Sequence, residues 1–152
     1  MAYTLTVLET NQHRFFEMLP KEWQDAIVPF WDAYKDAATI YGFEEDGNII
    51  AGGIVFSTCP PDLFYYKNEA QQWFDKGYLY IGFLFVSEMK RNHNIGTIWL
   101  QQLKAKLPKQ KFWLLIEEAH LHHFYKKNGF VLAQTLTTKE LTEWLYLYQP
   151  VE

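Results

Sequence analysis

The residues from Arg91 to Gly96 read RNHNIG and separate a charge-free run, residues 78–86, from an apolar-periodic run that starts at Ile95. If a helix begins at Ile95, its first amides have no partner within the helix and its dipole favours negative charge. A loop of this kind after a parallel strand often binds phosphate, and Arg91 can add a charge-assisted contact. The alternative is a plain connector in which Asn94 caps the helix with its side chain. The loop alone does not decide between these two interpretations.

Histidines and glutamates follow the short apolar run at 112–116, and their spacing raises the question of a metal site. His120 and His123 would share one helix face, and Glu117 could complete a zinc site with them. The spacing matches no established zinc motif, so we expect surface histidines and no bound metal. Cys59 is the only cysteine and has no obvious base beside it, so we expect a buried structural thiol in a reducing compartment.

The elements that must position these residues follow from hydrophobic periodicity and turn residues. The clearest is a hairpin at 38–58, in which Asp46 and Gly47 supply the positive φ of a primed turn. Gly52 and Gly53 in its second strand indicate a bulge or a close approach of another element. The remaining predictions are strands at 3–9, 78–86, 112–116, 130–137 and 144–149, and helices at 11–19, 20–29, 69–74, 95–107 and 119–128, the last capped by Gly129.

The run at 78–86 is apolar on both faces, which predicts a central strand that is covered on both sides. With the helix at 95–107 and the strand at 112–116 it forms a β-α-β unit. Such a unit implies two parallel strands joined by a right-handed crossover.

Composition narrows the function classes. The chain has 152 residues, 49% of them hydrophobic, which predicts a single domain, 1–152, rather than a disordered segment. A formal net charge of −4 argues against a nucleic-acid partner. No run approaches the ~20 apolar residues of a membrane span, so no membrane partner is expected. Because the N-terminus lacks the features of a signal peptide, a cytoplasmic location is expected.

Two motifs occur in order: Arg91–Gly96 after the apolar residues 84–86, and FYKKNGF at 124–130. Together they resemble the GNAT superfamily of N-acetyltransferases. The acyl-coenzyme A loop of that family reads Arg/Gln-x-x-Gly-x-Gly/Ala, and its later helix often ends in Phe-Tyr-x-x-x-Gly-Phe. The resemblance implies an α/β (α+β) fold with a mixed, mostly antiparallel sheet of about six to seven strands, a central parallel β-α-β unit and flanking helices.

The resemblance also implies acetyl-coenzyme A as co-substrate, bound where the two parallel strands splay apart. The pantetheine arm would lie against the backbone of Leu84, Phe85 and Val86, with the Val86 region holding the oxyanion. The pyrophosphate would lie on the loop and the first helical turn, which comprise Arg91, Asn92, His93, Asn94, Ile95, Gly96 and Thr97. Asn94 stands at the middle glycine of the motif, and Asn tolerates the left-handed conformation that glycine would adopt there.

Tyr125 matches the tyrosine that often acts as general acid in this family. Its reference pKa of about 10 lies near the ~8.5 of a thiol, which suits protonation of the leaving thiolate. The alternative is that Tyr125 is only a half-buried helix aromatic.

Two departures from the family pattern concern catalysis. Glu118 stands where an asparagine that bonds the pantetheine is common, and the strand at 78–86 carries no carboxylate to act as general base. Glu117 or Glu118 could take that role, or Tyr80 could order a water. Some relatives need no dedicated base, because a desolvated amine loses its proton more easily.

Aromatic residues make up 18% of the chain and cluster at 29–36 and 62–74, segments that wall the acceptor side in similar proteins. We expect them to form an acceptor pocket or a dimer interface through Phe30, Trp31, Tyr34, Tyr65, Tyr66 and Trp73. The predicted substrate contacts are Trp31, Tyr34, Tyr65, Tyr80 and Glu118.

The leading interpretation is an N-acyltransferase that moves an acetyl group to a primary amine of a small molecule or peptide by direct attack. One alternative is a non-catalytic GNAT-like module that binds coenzyme A or a protein partner. Another is an interaction domain that assembles through its aromatic patches. The resemblance leaves a homodimer open.

Overall fold

The computed structural model describes residues 3–151. Within them the strands are β1 (Thr6–Val7), β2 (Ala38–Glu45), β3 (Asn48–Phe56), β4 (Tyr78–Val86), β5 (Lys111–Ile116), β6 (Val131–Thr137) and β7 (Thr142–Tyr148). The α-helices are α1 (His13–Phe16), α2 (Lys21–Ile27), α3 (Trp31–Tyr34), α4 (Lys67–Asp75), α5 (Ile95–Lys106) and α6 (Leu121–Lys127). Short 3-10 turns occupy Val28–Phe30, Lys35–Ala37, Pro61–Tyr66 and Glu88–Lys90.

The strands form one seven-stranded sheet in the order β1-β2-β3-β4-β5-β7-β6. Neighbours are antiparallel except β4 and β5, which are parallel and joined by α5. The predicted mixed sheet with a central β-α-β unit is therefore confirmed. Among residues 3–151, no helix has the length and apolar character needed to cross a membrane.

Several predicted boundaries differ from the structure. The strand predicted at 3–9 is reduced to Thr6–Val7, because the Leu5 amide donates to the side chain of Gln102 (2.8 Å) and not to a strand. The helix predicted at 20–29 breaks at Val28, where a 3-10 turn accommodates Pro29. In the insertion before β4, the helix is longer than predicted and spans Lys67–Asp75.

The β2–β3 hairpin forms around the predicted turn. Glu45 pairs with Asn48, and the two residues between them have positive φ, 53° at Asp46 and 82° at Gly47. Gly129 likewise has a φ of 88° directly after the end of α6, as expected of a C-terminal cap.

The Gly52-Gly53 pair in β3 has both predicted consequences. A Cβ on Gly52 would lie 2.8 Å from the ring of Phe15, and one on Gly53 would lie 2.8 Å from the ring of Trp99. Because adjacent strand residues face opposite sides of a sheet, α1 and α5 cover opposite faces here. A bulge is also present, but its extra residue lies in β4 and not in β3.

The register defines that bulge. Gly52 pairs with Phe85 and Ile54 with Gly82, so two residues of β4 oppose Gly53 alone. One of them is Phe83, whose φ is 57°. Positive φ is unfavourable for a bulky residue, and such strain persists only where the surroundings hold it.

Gly53→Ala is expected to lower the free energy of unfolding by about 1–3 kcal/mol, because the added methyl overpacks the interface between β3 and α5. The Trp99 ring cannot easily move, since it is fully buried and its Nε1 donates to the Tyr41 carbonyl at 3.1 Å. Urea unfolding followed by tryptophan fluorescence measures the loss. Gly42→Ala is the matched control, because its nearest neighbour lies 3.3 Å away and no ring lies beneath it. Equal losses in the two variants would contradict the packing argument.

Candidate active site

The parallel strands β4 and β5 part after a short ladder. They pair only from Tyr78–Lys111 to Tyr80–Trp113, although β4 continues to Val86 and β5 to Ile116. Beyond that point β4 remains paired with β3, and β5 remains paired with β7. The sheet therefore splits into a cleft of about 1190 Å³, lined by both strands, α2, the start of α5, α6 and part of β7.

The end of β4 offers backbone groups to this cleft. The Ser87 amide donates to the Ile50 carbonyl at 2.8 Å, which makes these two residues a hydrogen-bonded pair. Because such pairs alternate along an antiparallel ladder, the N–H and C=O of Val86 face away from β3 and toward the parted side. The Val86 carbonyl accepts a bond from Arg91 Nε at 3.1 Å. The Val86 N–H remains available as a hydrogen-bond donor to a ligand in the cleft.

Arg91 is folded against the strand that it follows. Besides its bond to Val86, its guanidinium lies 5.0 Å from the centre of the Phe85 ring. The side chain therefore fastens the end of β4, and its predicted contact with a phosphate stays a prediction.

Asn94 begins α5 in the left-handed conformation, with φ 63° and ψ 21°. Its side chain makes no capping hydrogen bond, so the capping alternative is wrong and the glycine-like backbone is confirmed. Within residues 3–151 the amides of Ile95, Gly96 and Thr97 find no acceptor. Asn92 also has a positive φ of 67°, which its sequence position did not predict. The loop thus presents free amides at a helix N-terminus.

The start of α5 is joined to α6 by two close contacts. A Cβ on Gly96 would lie 3.0 Å from the Phe124 ring, so only glycine allows this approach without displacing the ring. The buried Asn128 donates to Thr97 Oγ1 (3.2 Å) and to the Phe124 carbonyl (2.8 Å). Asn128 was not among the predicted site residues, although it stands directly before the capping glycine of the second motif.

Tyr125 lies on α6 and lines the cleft. It is 8% exposed, and its ring packs on Phe130 and Tyr146. Within residues 3–151 its hydroxyl makes no hydrogen bond, while burial raises its pKa above the usual value. The hydroxyl is therefore protonated at neutral pH, although burial moves its pKa further from that of a thiol than the sequence alone suggested.

Tyr80 lies on β4 and, like Tyr125, is a buried residue that lines the cleft. It is 5% exposed, and its ring packs on Trp113 with centroids 4.6 Å apart. The ring extends over Gly82, toward the end of the strand where the cleft opens. Burial raises its pKa well above the usual value, and the nearby Asp62 and Glu143 carboxylates add to the effect.

Five carboxylates line the cleft, those of Glu22, Asp62, Glu117, Glu118 and Glu143. We call Asp62, Glu117 and Glu143 the acidic wall. Ile116 pairs with Trp144, so the next step of the β5–β7 register places Glu117 opposite Glu143. Glu143 is 5% exposed and accepts a hydrogen bond from the Tyr65 hydroxyl. Sequence analysis did not connect these acids, because they come from three separate segments of the chain.

Two acids of the wall, Asp62 and Glu143, have raised pKa values, and burial is the main cause for both. Asp62 is accessible to solvent, but protein atoms of the cleft surround its carboxyl group. This partial burial raises its pKa to about 6, and the nearby Glu117 and Glu143 add to the rise. Burial also raises the pKa of Glu143, Glu117 adds to the rise, and the Tyr65 bond offsets part of it. The neighbouring Glu118 lies apart from this group and pairs with His120 at 3.4 Å.

The predicted acceptor residues divide into two groups. Tyr65, Tyr80 and Glu118 line the cleft, whereas Trp31 and Tyr34 do not. Trp31 lies against α1, with its ring centroid 5.2 Å from that of Phe16 and its Nε1 bonded to Gln12 Oε1 (2.9 Å).

The other aromatic residues also differ from the prediction. Tyr66 and Trp73 belong to the buried core, and Phe30 is exposed outside the cleft. Trp23 on α2 was missed: it lines the cleft and packs edge-on against Phe83 and Phe85. A periodicity argument treats Trp23 as a core residue, so it carries no sequence signal of a site.

His122 and the cysteine have local structural partners. His122 Nδ1 shares a hydrogen bond with the Tyr146 hydroxyl. Within residues 3–151 no three His, Cys, Asp or Glu side chains form a group that could hold a metal ion. Cys59 is half-buried and donates to the Leu63 carbonyl at 3.3 Å, and burial raises its pKa to about 11.

Comparison with known proteins gives one family. Residues 5–130 match the model of the acetyltransferase (GNAT) family. No curated protein matches the chain.

Solved structures share the fold at low sequence identity. An aminoglycoside 6'-N-acetyltransferase complexed with coenzyme A is 9% identical, with 98% of each chain covered and a TM-score of 0.75. The ribosomal-protein-S18-alanine N-acetyltransferase from Escherichia coli is 13% identical, covers 99% of this chain and 96% of its own, and has a TM-score of 0.70. A GNAT family acetyltransferase from Elizabethkingia anophelis with acetyl-CoA bound is 16% identical over 97% of each chain, with a TM-score of 0.62.

Asp62→Asn is expected to stabilise the protein in a pH-dependent way. The folded-state pKa of Asp62 is raised from 3.8 to about 6, so its ionisation destabilises the fold as pH rises through that window. The variant should gain about 1–3 °C in Tm at pH 7.5, a figure discounted for solvent screening, and nothing at pH 4. Thermal melts at both pH values measure this. Glu140→Gln, at an exposed loop position outside the cleft, is the control, and an equal gain there would refute the assignment to Asp62.

Proposed function

Because the chain belongs to the acetyltransferase (GNAT) family, we propose that it transfers the acetyl group of acetyl-coenzyme A to a primary amine by direct attack. The observation that carries the proposal is the cleft where β4 and β5 part. It brings together an uncapped helix N-terminus, the Val86 amide and the unpartnered Tyr125 hydroxyl. Structural neighbours that bind coenzyme A or acetyl-CoA, or that act as N-acetyltransferases, support the same choice.

The coenzyme would be held by backbone groups. The free amides of Ile95, Gly96 and Thr97 suit its pyrophosphate, because they are donors at the positive end of a helix dipole. The cationic side chains of Arg91 and Lys127 also line the cleft and favour an anion there, whereas Lys90 is paired with Glu45. The pantetheine arm would follow the unpaired edge of β4 at Leu84–Val86.

Acetyl-coenzyme A supplies the thioester on which the amine acts. The Val86 N–H donates to the carbonyl oxygen as negative charge develops on it. The amine nitrogen forms the new N–C bond, the C–S bond breaks, and the amine loses one proton to water. Tyr125 gives its proton to the leaving sulfur and regains one from solvent, so the products are an N-acetyl amine and the free thiol.

A second candidate is a module that binds coenzyme A without catalysis. It is favoured by the absence of any carboxylate from β4, the strand that lies beneath the reacting groups. Coenzyme binding without turnover across a panel of amines would select this candidate. Thiol release in the same panel would select the enzyme.

Asn94 tests the coenzyme loop. Asn94→Gly should preserve or improve coenzyme A binding, because glycine adopts positive φ freely. Asn94→Val should weaken binding about tenfold or more, since a β-branched residue resists a φ of 63° and would move the loop amides. Calorimetry with coenzyme A measures both, and thermal melts without ligand show whether the variants are folded. Normal binding by a folded valine variant would disprove the phosphate cradle.

Tyr125 tests the proton donor. Tyr125→Phe should lower kcat about 100-fold or more, because general acid catalysis contributes that much or more, while coenzyme binding stays within about twofold. Thiol release at saturating coenzyme measures kcat. Tyr148→Phe is the matched control, since Tyr148 lies outside the cleft and stacks on Phe112. An unchanged kcat in the Tyr125 variant would remove this residue from the mechanism.

A further inference from the structure

We propose that the acceptor is a di- or polyamine, and that the acidic wall of Asp62, Glu117 and Glu143 binds an ammonium group other than the one that reacts. This inference rests on the proposed acetyl transfer and names the class of its acceptor. The wall lies in the same cleft as the end of β4 and Tyr125, so an acceptor with two amino groups can reach both.

The three carboxylates have no cationic partner. Some other acids of the described residues are paired, as with Glu44 and Arg14, or Glu45 and Lys90. Within residues 3–151 neither Asp62, Glu117 nor Glu143 forms a salt bridge. A ligand ammonium would supply the missing positive charge.

The arrangement is costly for the protein alone. Continuing the β5–β7 register by one step places the exposed Glu117 opposite Glu143, and like charges at opposed strand positions are unfavourable. Glu143 is moreover almost fully buried, and a buried carboxylate without a cation is unfavourable. The Tyr65 hydroxyl bonds one oxygen of Glu143 and leaves the other free to accept.

Two buried hydroxyls point to a ligand independently of the acids. Tyr80 and Tyr125 are 5% and 8% exposed, and neither hydroxyl has a hydrogen-bond partner within residues 3–151. Neither hydroxyl is sealed from solvent, because both residues line the cleft and neither oxygen is among the fully enclosed unpartnered atoms. Asp62 and Glu143 lie close enough to Tyr80 to raise its pKa. The buried polar groups therefore converge on one space next to the acidic wall.

The reactive amine is a poor occupant for this wall. An amine must be neutral to attack the thioester, whereas nearby carboxylates raise the pKa of an amine and keep it protonated. Three acids around the reacting nitrogen would therefore oppose the reaction. If the acids instead bind a second ammonium group that lies away from the thioester, they improve acceptor binding and do not keep the reacting amine protonated.

The test compares acceptors of equal length on the full chain. Diaminobutane, butylamine and aminobutanoic acid differ only in the group at the far end. The kcat/KM for diaminobutane should exceed that for butylamine about tenfold or more, as expected for one charge-assisted contact, and aminobutanoic acid should be the poorest. An aminoglycoside in the same assay distinguishes an amino-sugar scaffold from an aliphatic one.

The variants assign the preference to the wall. Glu143→Gln, which can still accept the Tyr65 bond, and Asp62→Asn should each lower the ratio of diamine to monoamine kcat/KM about fivefold or more, mainly through KM. Glu140→Gln, outside the cleft, should leave the ratio unchanged. A ratio near one in the wild-type protein, or an unchanged ratio in both wall variants, would overturn the proposal.

Calorimetry separates this inference from the proposed function. With coenzyme A present, diaminobutane should bind the wild-type protein more tightly than butylamine, and Glu143→Gln should remove the difference. That result would support the ammonium site even if no amine were acetylated, in which case only the proposed catalysis would fail. Turnover of butylamine and diaminobutane at equal efficiency, with equal binding, would refute the ammonium site and leave acetyl transfer intact.

Discussion

The extra residue in β4 is the constraint on which the cleft depends. Phe83 adopts a positive φ, and its ring is held against Trp23 and Phe56, while the opposing Gly53 leaves room beneath the Trp99 ring. A bulge bends the strand that carries it, and here the ladder between β4 and β5 ends just before it, at Tyr80. Without that break the Val86 amide would meet a strand and no substrate could lie there. Backbone strain at this point is thus coupled to an open binding edge.

Charge is distributed unequally along the cleft. Cationic side chains and free amides gather where α5 begins, whereas Asp62, Glu117 and Glu143 gather around Tyr65. Such a field favours an anion at one end and a cation at the other, and it disfavours the reverse orientation. Glu143 is a buried carboxylate without a salt bridge among residues 3–151, so its position is better explained by binding than by stability. This matches the general observation that functional sites retain groups that do not favour the fold.

The sequence predicted what depends on local chemistry. The hairpin turn at Asp46 and the cap at Gly129 follow from backbone preferences of single residues, and the β-α-β unit follows from apolar periodicity. The left-handed Asn94 was predicted only with the help of the family motif. The acidic wall could not be predicted in this way. Tyr65 and Glu143 are 78 positions apart, and they meet only because β7 inserts between β5 and β6. The aromatic segment at 29–36 was misassigned for the same reason, since composition does not show which wall of a cleft a segment covers.

Although β4 carries no carboxylate, the insertion of β7 brings one to the cleft. Through Glu143 this strand supplies part of the acidic wall, and through Tyr146 it supports both His122 and the ring of Tyr125. Tyr125 belongs to α6, which Asn128 and the Gly96–Phe124 contact join to the start of α5. Tyr125, the proposed proton donor, therefore lies between β7, which carries Glu143, and the start of α5, where the coenzyme is proposed to bind. A change in the Tyr146 contact from β7 or in the contacts between α5 and α6 would displace Tyr125. The position of Tyr125 therefore depends on β7 and α5 as well as on the central strand.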